Sequence, residues 1–72
     1  MNQINAGKFY KVKDAVDGKQ TPGGYFYIHT ATLEEIKFSA VAFPSLEYVE
    51  TAGQFTMARA ALEPLIDSEI EL

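Results

Sequence analysis

The chain holds one histidine and no cysteine, so His29 is the first residue to weigh for metal or acid–base chemistry. His29, Glu34 and Glu35 are the nearest approach to a metal-ligand grouping. A lone histidine near two carboxylates arises often by chance, and the chain offers no second histidine to complete a site. His29 therefore reads as a strand residue beside Tyr27 with its polar edge in water. Ser39, Ser45 and Ser68 lack the strand–turn–helix setting of a nucleophile elbow. Gly23-Gly24 is too short to cradle a phosphate. Asp14 and Asp17 beside Gly18 lack the spacing of a calcium loop. The expectation is a non-enzyme with no cofactor and no metal.

The residues suited to recognition are more numerous. Thr21-Pro22-Gly23-Gly24 reads as a turn that feeds into Tyr25-Phe26-Tyr27-Ile28-His29-Thr30, a run of aromatic and β-branched residues that favours a strand. Strand side chains alternate, so Phe26, Ile28 and Thr30 face one way and Tyr25, Tyr27 and His29 the other. The first set suits a core. The second carries an apolar body and a polar tip on each residue. Near Lys8, Lys11 and Lys13 such a face can stack on unpaired bases; the alternative is a second small core or a protein contact. Charge separates the two. Residues 1–30 carry a net +2 and residues 31–72 a net −6, giving −4 overall. Nucleic-acid binding normally needs a basic patch, so nucleic acid is disfavoured. Glu47, Glu50, Glu63 and Asp67, with Glu69 and Glu71, are the candidate acidic site within residues 31–72. They would steer a basic partner or stand in for phosphates; as a bland alternative they are a solvated face and tail. The candidate partner-binding residues are Tyr25, Tyr27, His29, Glu47, Glu50, Glu63 and Asp67.

The elements that would position these residues follow from pattern. Residues 1–7 read as a frayed end. Lys8 to Lys13 reads as an outer strand that pairs with 25–30 across a long loop containing Asp17-Gly18, its lysines guarding the edge. Residues 31–43 carry two readings. Thr32-Leu33-Glu34-Glu35 fits a capping box opening a helix, whereas Ile36 to Phe43 alternates as a strand with Ile36, Phe38 and Ala40 on one face. The strand is preferred, and Pro44 ends either element. Leu46 to Glu50 reads as a short fourth strand, and Thr51 to Gln54 as a second capping box. Phe55, Ala58, Leu62 and Ile66 then form the stripe of a C-terminal helix. Pro64 demands a break near Leu62–Glu63 and would open a last short turn. Residues 67–72 read as an acidic tail. Phe26, Ile28, Phe55, Leu62 and Ile66 are the expected core.

Seventy-two residues suit one domain. No apolar run approaches the roughly 20 residues that cross a bilayer, and Met1 to Asn5 lacks the parts of a signal peptide. The expectation is a cytoplasmic protein with no membrane partner. The fold expected is α+β, a small, mainly antiparallel sheet of three to four strands with a C-terminal helix packed on one face. Phe43-Pro44-Ser45-Leu46, a short strand to Gly53 and an Ala-rich helix resemble the end of HicB-type antitoxin domains over residues 36–66. Glu47-Tyr48 and Gln54-Phe55 stand where that family has a Pro-Gly step and an acid-Thr pair. In size and charge the chain also resembles small phage-encoded inhibitors of host machinery. The functional expectation is a protein–protein interaction module. It would inhibit or regulate a nucleic-acid-handling protein such as RNA polymerase or a defence complex, with a HicB-like antitoxin or nucleic-acid-contacting regulator as the alternative.

Overall fold

The computed structural model describes residues 4–16, 18–20 and 24–70. The expected Thr21–Gly23 part of the turn, Asp17 and residues 71–72 lie outside the described residues. The protein is α+β, with a five-stranded antiparallel sheet and a short C-terminal helix packed against it. The strands are β1 (Phe9–Val12), β2 (Ala15–Val16), β3 (Lys19–Gln20), β4 (Tyr25–Ala31), β5 (Glu35–Val41), β6 (Gln54–Ala58) and β7 (Ile66–Ile70). The helices are α1 (Leu46–Thr51) and α2 (Arg59–Leu62), the latter continued by a 3-10 turn at Glu63–Leu65. The main sheet runs β6-β5-β4-β1-β7, and β2 and β3 form a separate small hairpin.

The aromatic strand is central, as its composition implies. β1 pairs with β4 in the expected hairpin sense, with Tyr10 opposite Phe26 and Phe9 opposite Tyr27. Gly24 enters β4 at φ 80°, and a Cβ there would meet the Val41 carbonyl oxygen at 2.9 Å. Glycine is required on both counts. β1 is not the outer strand expected from its lysines, because β7 pairs along its other side.

Thr32 does cap, but it caps a hairpin turn rather than a helix. Its hydroxyl accepts from the backbone N–H groups of Glu34 and Glu35 at 3.3 and 2.9 Å. Those bonds close the β4–β5 connection, and residues 35–41 form the preferred strand. A bulge falls between Ile28 and Thr30. The extra residue shifts parity: Thr30 lies opposite exposed Lys37, and Ala31 packs on the core instead.

The C-terminal half departs most from expectation. Leu46 to Glu50 is helical, because Pro44 and Ser45 set up a helix start and Tyr48 and Val49 bond back to the Ser45 carbonyl. The long helix expected from Phe55 onward is absent among the described residues. Its first turns are the edge strand β6, paired with β5 from Glu35↔Ala58 to Ser39↔Gln54. Only Arg59–Leu62 is α-helical. Pro64 ends that turn and sits at the start of the 3-10 segment, as its missing N–H requires. The acidic tail is strand β7 through Ile70, paired with β1.

The core lies on the sheet face carrying Tyr10, Ile28, Ile36 and Phe38, closed by Leu62, Ile66 and Ile4. Ile4 is 2% exposed, so residues 4–7 are not a frayed end. The Gly7 N–H bonds to the Ile28 carbonyl at 2.8 Å. Phe55 is the misplaced core residue, 55% exposed, with its ring 5.9 Å from that of Phe38. Arg59 ties the layers together through its Nε, which donates to the Thr32 carbonyl at 2.8 Å. Buried Tyr10 accepts from the Asn5 N–H at 2.8 Å and donates to Glu69 Oε1 at 3.4 Å. Burial raises its hydroxyl above the ordinary tyrosine value, and the nearby Glu69 carboxylate adds to this.

Candidate functional site

The face opposite the core holds the residues singled out for recognition. Tyr25, Tyr27 and His29 share it and are half-buried, intermediate between a second core and an open platform. Tyr27 sits between two neighbours, 4.8 Å from Phe9 and 5.1 Å from His29 between ring centroids. Tyr25 has Lys11 Nζ 5.7 Å from its ring centre. His29 does not join Glu34 and Glu35. Its Nε2 lies 2.7 Å from the hydroxyl of Ser39, a fully buried polar residue. This pair satisfies Ser39 inside the outer layer, which a buried hydroxyl needs.

The carboxylates are not gathered into one patch. Glu47 and Glu50 share a turn of α1. Glu63 opens the 3-10 turn on the core side of the sheet, and Asp67 lies on the edge strand β7. Glu47 and Glu50 lie on the helix that reaches the outer-face cleft through Leu46, and β7 borders the same cleft through Glu69 and Ile70. Among the described residues no cluster of three or more His, Cys, Asp or Glu side chains could hold a metal.

The structure adds residues that pattern reading missed. An open cleft of about 450 Å³ lies on the outer face between Phe9, Tyr27, Leu46 and Ile70, with Lys8 and Glu69 as its charged members. Leu46 brings α1 to this cleft. Beside it, Phe43 and Tyr48 pack ring to ring at 5.5 Å. Phe43, Leu46 and Tyr48 remain 59%, 57% and 45% exposed. The signal lay in Phe43-Pro44-Ser45-Leu46: large apolar groups at the start of a helix too short to bury them all. Glu47 and Glu50 on the same short helix are exposed beside this apolar group. The arrangement has apolar side chains and aromatic rings, a concave floor and acidic neighbours. It can hold an apolar side chain and attract a basic one.

Comparison with models of protein families, with curated proteins and with solved structures returns no match. The chain order behind the HicB resemblance, a short strand to Gly53 followed by an Ala-rich helix, is not the order that folds: residues 46–51 are helical and 54–58 are a strand.

Proposed function

We propose that the protein is a non-catalytic protein-binding module of the inhibitor or regulator kind. In this reading it engages its partner through α1 and the adjoining cleft. The observation that carries the proposal is the exposure of Phe43, Leu46 and Tyr48 together, next to an open cleft of mixed polar and apolar lining. Large apolar residues held at the surface by a folded element are what interface anchors require. Glu47 and Glu50 beside them favour a partner whose rim is basic. The half-buried Tyr27 forms part of the floor rather than a free stacking platform, which favours a protein side chain over an unpaired base as occupant.

The test is capture of partners from a lysate by the tagged full chain, with Leu46→Asp as the interface variant and Thr30→Asp as an exposed control on β4. A discrete protein retained by wild type and by Thr30→Asp, and lost by Leu46→Asp, is the expected result. Equal retention by all three, or recovery of nucleic acid alone, would overturn the proposal.

A further inference from the structure

The two edges of the main sheet are built differently. On β7 the edge strand reads Ile66-Asp67-Ser68-Glu69-Ile70, and its acids guard it: two such strands pairing about Ser68 would set Asp67 against Glu69, like charge against like. On β6 the edge strand reads Gln54-Phe55-Thr56-Met57-Ala58, with no charge and no proline. It ends the sheet order, so its outer side pairs with nothing among the described residues.

The register shows which backbone groups it offers. The Arg59 N–H donates to the Glu34 carbonyl at 2.8 Å. Hydrogen-bonded pairs alternate along an antiparallel ladder, so Met57 and Phe55 also bond inward to Ile36 and Phe38, their partners. Gln54, Thr56 and Ala58 therefore turn their N–H and carbonyl groups outward. We propose that β6 pairs antiparallel with β6 of a second copy of this chain, about a twofold axis at Thr56, continuing the sheet across the dimer.

Three features commit the edge to its own copy. With the axis at Thr56, Thr56 meets Thr56 and Gln54 meets Ala58 on each side, so every outward group is used, about six ladder bonds. An axis at Phe55 or Met57 would use about four. The same register sets Phe55 opposite Met57 of the second copy on the core face. It covers the 55% exposed ring with a side chain suited to aromatic contact. Charge permits the contact despite the acidic chain. The nearest like charges on that side, Lys37 of each copy, would stand three strand spacings or about 14 Å apart, beyond the screening length of about 8 Å at physiological salt.

The experiment measures the mass of the full chain in solution from about 1 µM to about 1 mM, beside variants at two exposed positions, Thr56 and Gln54. The expected result is a concentration-dependent rise from 8.0 kDa to about twice that. Thr56→Lys sets like charges face to face and should weaken association at least tenfold, and mixing it with Thr56→Glu should restore a dimer. The chain has no cysteine, so Thr56→Cys reads the register directly without adding charge. Facing residues of a bonded pair lie about 5.5 Å apart, within disulfide reach. Thr56→Cys should cross-link on oxidation; Gln54→Cys, about 14 Å from its counterpart, should not. A wild-type mass of 8.0 kDa throughout overturns the proposal and leaves the edge to some other extended chain. A dimer that survives Thr56→Lys and fails to cross-link through Thr56→Cys overturns it as well.

Discussion

Leu62→Ala tests which element closes the core. Leu62 is fully buried in the one-turn helix α2, against Ile4, Tyr10, Ile28, Ile36 and Phe38 as members of one cluster. The change deletes about three methylene equivalents at ~0.8 kcal/mol each, or ~2.4 kcal/mol of transfer free energy. A cavity of roughly 60 Å³ that the short helix cannot collapse adds ~1.5 kcal/mol. The expected loss is thus ~4 kcal/mol. A chain of this length has a total stability of about 4–11 kcal/mol, so the variant should be marginal or unfolded at room temperature. Phe55→Ala is the matched contrast. With its ring 55% exposed, less than half the usual burial of ~1.5–3 kcal/mol is at stake and no closed cavity forms, so ~1 kcal/mol is expected. Urea melts at low micromolar concentration, where self-association is minimal, measure both. A Leu62→Ala loss below ~1 kcal/mol, or a Phe55→Ala loss larger than that of Leu62→Ala, would refute the reasoning and return the core to a long helix starting at Phe55.

Three further outcomes follow from local geometry. Tyr10 has a raised hydroxyl pKa in the folded state, so the unfolded chain gives up that proton first. Its contribution is complete below about pH 10 and is lost as pH rises through the folded value; Tyr10→Phe should flatten this alkaline fall in melts taken from pH 8 to 11. Ser39→Ala and His29→Ala, combined in a double-mutant cycle, should show coupling of about 1 kcal/mol for their 2.7 Å contact; strictly additive losses would remove the bond from the account. Gly24→Ala should cost more than ~1 kcal/mol, because it adds a clash with Val41 to a positive-φ penalty; a neutral melt would contradict the tight approach of β4 to β5.

The first half of the fold was legible because β-rich composition, alternation and glycine turns agree there. β1, β4 and β5 follow from Tyr10, the 25–30 run and the Ile36/Phe38 alternation. The second half was not, because two periods coincide. Phe55, Leu62 and Ile66 fit a helical stripe, yet Gln54 to Ala58 also alternates, and pairing with β5 decides in favour of the strand. Leu46 to Glu50 alternates as a strand, yet Pro44 and Ser45 start a helix. Pro64 breaks the helix where expected because its missing N–H acts locally. At the candidate site, Tyr25, Tyr27 and His29 were placed on one face from alternation alone. Phe9 joins them through the expected β1–β4 pairing, whereas Leu46 and Ile70 are not legible beside them, since only the turn into α1 and the pairing of β1 with β7 bring those two there. Charge groups Glu63 and Asp67 with Glu47 and Glu50, but it carries no information about which element holds each of them: a 3-10 turn, an edge strand and a short helix.

The most direct measurement on the proposed function is the binding kinetics of the captured partner with wild type, Leu46→Asp and the Glu47→Lys/Glu50→Lys double variant at two salt concentrations, each checked for an unchanged fold by circular dichroism. The account predicts at least tenfold faster dissociation for Leu46→Asp at both salts, because a buried anchor sets the off-rate. For the charge reversal it predicts slower association with a weaker salt dependence. Wild-type kinetics in both variants would contradict it and move the interface away from α1.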